Sequence, residues 1–473
     1  MKRHRNRETR EGLWPLASAV SALVIAGFTP AAAADLGGNC CADLEERIAE
    51  LEATTARKGN RKIKLEISGH VNEAILFWDD GFESNAGIYT NDNARTRIRF
   101  KGAAKINGDL DAGYNIEIGV RTHNSKRFTQ DNPVGNGNAT DVGLDLRDSN
   151  WYLKSKSLGT GSIGLQATAT DAITEVNQTQ TADFSKYSDV EDTGLGLNLR
   201  RSDGALSTRY QYRRLIGVNG DQPGEGERRF NGVKYVTPEV AGFSASAFWG
   251  EDDFWDMALR YKGELNGLKL AAGFGYGAIS DGQQTQTGCA ASQANASSPI
   301  GSASDADCHQ FGGSASIVHV DSGLFVNFGA GIKRDDLIED ITLYSGAVGP
   351  DDEETFWSLQ AGIEKKWLAF GKTTIYGEYY RYEGGSNNRT IDGAFAGVGT
   401  ASGAVIDTGL EVIGGGIAQG FENAALTLYL SYRHVQGDLV ASSIAGGIAD
   451  GAAINAVDLE DLDVVFAGGI IKF

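Results

Sequence analysis

Phe254-Trp255-Asp256-Met257-Ala258-Leu259-Arg260-Tyr261-Lys262-Gly263-Glu264-Leu265-Asn266-Gly267-Leu268-Lys269-Leu270-Ala271-Ala272-Gly273-Phe274-Gly275-Tyr276 is the stretch on which the reading of the fold turns. Its apolar residues fall into two runs of period two, Trp255/Met257/Leu259/Tyr261 and Leu268/Leu270/Ala272/Phe274/Tyr276. Each run therefore puts one greasy face on a strand whose other face is small or polar. Leu265-Asn266-Gly267 between them carries the turn chemistry of a tight hairpin. A strand of roughly ten residues with one apolar face crosses a membrane when it is tilted.

The same pattern recurs outward in both directions. Ile63, Leu65, Ile67, Gly69, Val71, Ile75 and Phe77 alternate with mostly polar neighbours, and so do Tyr114/Ile116/Ile118/Val120, Leu324/Val326/Phe328/Ala330/Ile332 and Leu426/Leu428/Leu430/Tyr432. Short turns alternate with long loops: Asn107-Gly108-Asp109, Ser202-Asp203-Gly204 and Asp321-Ser322-Gly323 are tight, whereas 125–145, 172–192, 280–309, 333–354, 384–406 and 437–460 are long and polar. Short turns on one side and long loops on the other are the habit of outer-membrane barrels. Eighteen candidate strands can be marked between residues 63 and 473, with 193–202 among the weak ones, so sixteen stays open. The expectation is an all-β chain, a transmembrane antiparallel β-barrel of 16–18 strands, spanning 62–473 and lying in the bacterial outer membrane as an integral, multi-pass protein. Trp78, Trp249, Trp255, Trp357 and Trp367 sit near strand ends, where membrane interfaces collect Trp.

Composition agrees. The 473 residues include 63 Gly, 7 Pro, 4 Cys and 2 Met. A mean hydropathy of −0.26 is too polar for a bundle of membrane helices. It suits a barrel, where half of each strand faces water.

The start reads as a secretory signal. Lys2, Arg3, Arg5, Arg7 and Arg10 precede a largely apolar run from Leu13 to Phe28, and Ala31-Ala32-Ala33-Ala34 supplies small residues for cleavage. Residues 1–33 are expected to be removed, leaving Ala34 first, or Asp35 if cleavage falls one residue later. Five basic and two acidic residues leave with them, so 38 Lys and Arg remain against 60 Asp and Glu, a net charge of −22. Such a charge repels nucleic acid and anionic surfaces. Residues 34–61 are then a periplasmic segment. Leu44, Ile48 and Leu51 fall at heptad spacing within it and give a short amphipathic helix. A small trimeric coil and a lone helical stub both stay open.

Tyr235-Val236-Thr237-Pro238-Glu239-Val240-Ala241-Gly242-Phe243, followed by Phe248-Trp249-Gly250, resembles the strand–turn–strand motif of bacterial general porins. The terminal Phe473 is similar to that group's assembly signal. With Ile67-Ser68-Gly69-His70-Val71-Asn72 and the N-terminal helix, the chain resembles the alphaproteobacterial porins. The resemblance covers most of residues 60–473. It implies a homotrimer of sixteen-stranded barrels, each narrowed by an inward-folded third loop, passing small hydrophilic solutes and ions by diffusion through water. It also implies contact with outer-membrane lipid and lipopolysaccharide, and Ala34-Asp35 resembles a start through which related porins join peptidoglycan. The alternative reading is a substrate-selective outer-membrane channel.

Charge placement follows from parity. With Ile98 and Phe100 toward lipid, Arg95, Arg97, Arg99 and Lys101 point into the lumen, because a charge facing lipid costs about 2–4 kcal/mol at the midplane. Arg209 and Arg213 do the same on 205–216, opposite Tyr210 and Tyr212. The loop 172–192 carries Glu175, Asp183, Asp189, Glu191 and Asp192. A basic wall facing an acidic loop would set a transverse field at the narrowest point. Cys289 and Cys308 bracket an external loop in an oxidising compartment and are read as a disulfide. For the adjacent Cys40 and Cys41, interchain bonds and free thiols both stay open. His70, His123, His309, His319 and His434 fall in no nucleophile or metal motif, so no catalytic residue, metal or cofactor is assigned.

Overall fold

The computed structural model describes residues 63–132, 143–217, 222–225, 229–250, 254–280, 307–338, 343–346, 348–385 and 390–473. The signal, the periplasmic segment with Cys40 and Cys41, and Cys289 lie outside the described residues.

Sixteen antiparallel strands close on themselves. In chain order they are β1 Lys64–Asp79, β2 Arg97–Lys105, β3 Leu110–Arg121, β4 Gly143–Ser155, β5 Gly159–Gln166, β6 Phe230–Val236, β7 Phe243–Gly250 and β8 Phe254–Leu265. They continue with β9 Leu268–Ile279, β10 Cys308–His319, β11 Leu324–Asp335, β12 Glu353–Leu368, β13 Gly371–Gly384, β14 Ser402–Phe421, β15 Leu426–Ala445 and β16 Leu462–Lys472. Each pairs with the next, and β16 returns to β1 over His70–Asp79. Beyond the last ladder pair, Phe473 and Gly69 exchange backbone hydrogen bonds of 2.9 and 3.0 Å. Closure leaves no free sheet edge, which a lipid environment demands because no water is there to satisfy it.

Alternation decides which face sees lipid. Met257, Leu259, Phe274, Phe311, Val326 and Phe328 are exposed on the outer wall, while Asp256, Ala258, Ser314 and Asn327, one residue out of phase, are buried inside. No helix among the described residues is long and apolar enough to cross a membrane. The strands do the crossing.

Two of the eighteen candidate strands do not belong to the barrel. Residues 193–202 and 205–216 hold instead a small hairpin, Asn198–Arg200 against Leu206–Gln211, in a sheet of its own. Their apolar residues pack inward: Leu197, Leu199, Tyr210 and Tyr212 join Leu76, Val464 and Phe466 in one buried cluster. Alternation alone does not distinguish lipid from a protein core. Trp78 is a second correction, since it is buried on the lumen side of β1 while Trp249, Trp255, Trp357 and Trp367 are exposed. A third concerns 437–460, which is mostly strand: β15 runs on to Ala445 and pairs with Ile448–Ala456.

Candidate constriction in the barrel lumen

Between β5 and β6 the chain turns into the barrel, and short polar side chains of the wall hold its backbone. Asp256 of β8 accepts the N–H groups of Ala169 and Thr170 at 2.9 and 2.8 Å. On β10, Ser314 donates to the Ile173 carbonyl at 2.6 Å and accepts the Val176 N–H at 2.9 Å, and Ser316 accepts the Gln178 N–H at 3.2 Å. Glu364 and Gln360 of β12 take the Gln180 N–H and the Thr181 hydroxyl, each at 2.7 Å. Arg433 of β15 then donates to the carbonyls of Val190 and Lys186 at 3.1 and 2.8 Å. The loop thus follows one arc of the wall from β8 round to β15. Phe184 seals its far end by stacking on Tyr429, ring centres 4.7 Å apart.

Glycine lets the loop come close. A Cβ on Gly331 of β11 would stand 2.1 Å from the Pro223 carbonyl oxygen, and one on Gly312 of β10 2.2 Å from that of Gly224. Larger residues at these places would hold the returning strand of the loop off the wall.

The opposite arc keeps its charged side chains facing open lumen. Arg97 and Arg99, alternating with Ile98 on β2, turn inward to Glu117, and Arg95 lies in the turn just ahead of the strand. Arg95 pairs with Asp145 at 2.7 Å, and Arg121 with Asp92 at 2.8 Å. Below them Glu117 of β3 gathers three arginines: Arg147 Nε at 2.6 Å, Arg99 Nε at 2.7 Å and Arg97 Nη1 at 3.3 Å. Lys101 is exposed and makes no ion pair among the described residues. Glu117, Arg121 and Arg147 were not singled out from the sequence. The phase of β3 held the signal for the first two, since both alternate with Ile116, Ile118 and Val120.

Arg209 and Arg213 are not on this wall. Arg213 lies in the buried turn Tyr212–Leu215 and donates to Gln211 at 2.8 Å. Arg209 belongs to the short inner strand Leu206–Gln211, and its side chain lies outside the described residues.

All five acidic residues expected on the loop are there, each bound to a lysine. Glu175 and Asp189 share Lys186 at 2.7 and 2.8 Å, Glu191 and Asp192 share Lys126 at 2.9 and 3.2 Å, and Asp183 holds Lys472 at 2.6 Å. Glu191, Asp192 and Lys126 are buried behind the loop surface. Lys126 and Lys472 come from outside the loop and Lys186 from within it, and burying unpaired carboxylates would be costly. A further acid, Glu225, accepts the Thr174 N–H at 2.9 Å. Burial and the nearby Asp189 charge raise its pKa to about 7. The same two causes lift Glu175 well above the usual carboxylate range. Burial alone would lower Lys186, but Asp189 and Glu175 hold it protonated.

Cys308 opens β10 and is disulfide-bonded. What these elements form is a polar passage lined by arginine on one side and by a tethered loop on the other. Water and hydrated ions suit such a lining, and apolar solutes do not.

A protein-family profile described as "Gram-negative porin" matches residues 17–438. Among solved structures, an anion-selective porin from Comamonas acidovorans is similar over 87% of this chain and 100% of its own, at 15% identity and a TM-score of 0.50. OmpT, an outer membrane protein of Vibrio cholerae, is similar over 88% and 99% at 12% identity and 0.47. Salmonella typhi OmpF in complex with daunomycin is similar over 87% and 98% at 13% identity and 0.45. A search of curated proteins found no match. At this identity the first likeness speaks for the barrel fold.

Proposed function

Since the chain belongs to the Gram-negative porin family, we propose that it works as a homotrimer whose lumens are narrowed by the loop between β5 and β6. It is an outer-membrane channel for passive diffusion of small hydrophilic solutes and ions. The observation that carries this reading is the closed sixteen-strand barrel, apolar outside and charge-lined within.

The trimer rests on a mismatch in strand length. β5, β6 and β7 have 8, 7 and 8 residues, against 16 for β12. At about 3.3 Å per residue, an 8-residue strand is about 26 Å long. Tilted by about 40°, it rises only about 20 Å, short of the roughly 25 Å apolar band of such barrels. Above these strands, irregular backbone would meet lipid unless protein covers it. A second copy of the chain supplies that cover.

The basic wall is Arg95, Arg97, Arg99 and Lys101, joined by Arg147 around Glu117. The strand–turn–strand from Tyr235 to Phe243 supports placement among alphaproteobacterial porins. Residues 1–33 are an export signal and 34–61 a periplasmic segment, with Ala34-Asp35 the candidate attachment to peptidoglycan and lipopolysaccharide around the barrel. Cys289 is the partner proposed for Cys308. The passage works without catalysis or cofactor.

Cross-linking of the detergent-extracted protein tests the assembly. A ladder ending at three copies, from a mature chain beginning at Ala34 or Asp35, is expected. A single copy that stays monomeric in native mass spectrometry would contradict it.

A further inference from the structure

The outer rim of the barrel carries a cluster that the passage does not use. Asp307 precedes β10, His309 is the second residue of that strand, and Asp336 follows β11. His309 alternates with Gln310 and shares its face with Phe311, so its ring stands on the outer wall at the end where the long loops leave. Its Nε2 is 2.8 Å from Asp307 Oδ1. A carboxylate oxygen of Asp336 joins them, and the three atoms all lie within 4.8 Å of one another. The backbone fixes the two carboxylates in place. Asp336 N–H donates to the Asp307 carbonyl at 2.9 Å, and Cys308, between Asp307 and His309, is disulfide-bonded.

Two observations call for a cation at this point. Asp336 brings a second negative charge to an imidazole that Asp307 already faces, and it is in no ion pair among the described residues. Arg334, the cross-strand neighbour of His309, is held instead by Glu353, to which it donates at 2.7 and 2.9 Å. The other observation lies behind the ring, where Tyr276 Oη is 2.9 Å from His309 Nδ1. A phenol can donate or accept, so it can take a hydrogen bond from Nδ1–H and leave the Nε2 lone pair free. Metal-binding histidines make this kind of outer contact, which fixes the tautomer and the ring.

We propose that Asp307, His309 and Asp336 bind a transition-metal dication of the zinc type, which clasps the start of β10 to the turn after β11. One imidazole nitrogen and two carboxylate oxygens suit Zn2+, whose bonds to such atoms are about 2.0–2.2 Å. Rotation of the two exposed aspartates brings their oxygens to that distance, and a fourth, tetrahedral position is left for water. An imidazole ligand favours zinc, nickel or copper over calcium and magnesium, which take oxygen shells. The sequence hides the site because only Asp307 and His309 are close along the chain, and Asp336 comes from the end of the next strand. The site faces away from the lumen and does not depend on the pore reading.

The test uses the full mature protein without an affinity tag, stripped by a chelator in detergent. It is then dialysed against low-micromolar Zn2+ in the presence of millimolar Ca2+ and Mg2+. Elemental analysis should find one zinc per chain. His309→Gln and Asp336→Asn should each abolish its retention. Tyr276→Phe should weaken binding about tenfold, the loss usual when a ligand histidine is deprived of its outer hydrogen bond. Asp336 is exposed and in no ion pair, so its variant should fold even if His309→Gln does not. His434, set between Asp461 and Asp463, is the competing site, and His434→Gln should leave the zinc content unchanged. Zinc retained in full by His309→Gln and Asp336→Asn, displaced by calcium, or lost only in His434→Gln would overturn the proposal. So would a native chain that holds no more zinc than these variants.

Discussion

Arg433 Nε and Glu378 Oε1 stand 2.7 Å apart, fully enclosed, on two strands separated by a third. The same guanidinium reaches across to the loop, donating to Val190, Lys186 and the Ser185 hydroxyl. One ion pair of the wall thus latches the far end of the constriction. Without its partner, Glu378 would keep only the neutral donors Gln360 and Ser185 and would be a buried charge with no counter-ion beside it.

Arg433→Ala should therefore cost about 3–5 kcal/mol of stability, the usual penalty for orphaning a buried charge. The double variant Arg433→Met/Glu378→Leu removes both charges and should be less damaging than the single one. Thermal unfolding in detergent, read by circular dichroism, checks this. A double variant as unstable as Arg433→Ala would mean that the loop contacts, not the charge pair, dominate.

Close approach at Gly331 gives a second prediction. Gly331→Val puts side-chain atoms where the Pro223 carbonyl now sits, so the segment 222–225 must move off the wall into the lumen. Overpacking of this kind costs about 1–3 kcal/mol. Single-channel conductance should fall as well. Gly108→Ala, in a turn with nothing within 4 Å, is the control and should leave both readings unchanged. A Gly331→Val channel of normal conductance would place segment 222–225 away from the pathway.

Acid should tighten the loop. Glu225, with its pKa near 7, keeps its proton in the folded loop across a range where an unfolded glutamate, near pKa ~4.3, has lost it. The folded state then binds more protons between about pH 4 and 7, so docking is strongest in acid and weakens as pH rises through 7. Current noise from loop motion should increase from pH 5 to pH 8. Glu225→Gln, which mimics the protonated form, should stay quiet throughout. Noise equally pH-dependent in that variant would assign the titration to another group, with Glu175 the first to examine.

Much of the fold was legible because strand parity is a local property. Ile98 and Phe100 between arginines determine the inward face of β2 without any tertiary knowledge, and Asn266-Gly267 fixes a hairpin within four residues. The reading failed where alternation met a second apolar environment. Tyr210 and Tyr212 alternate as a lipid-facing strand would, yet they pack inward in a cluster shared with Leu76, Val464 and Phe466 of the wall. Trp78 was misread for a related reason, since its position near a strand end suggested an interface while its phase pointed inward. The acidic loop residues were identified on the right segment. Their lysine partners were not: Lys126 and Lys472 are brought there only by the folded path of the chain, while Lys186, three residues before Asp189 in the same loop, was a local signal passed over.

Single-channel recording of the purified protein in a planar bilayer tests the central claim, a trimer of water-filled pores, most directly. Large ohmic steps that close in three equal levels, in chloride and in acetate alike, are the expected result. Folded protein that carries no current, or opens in single unrelated steps, would contradict it.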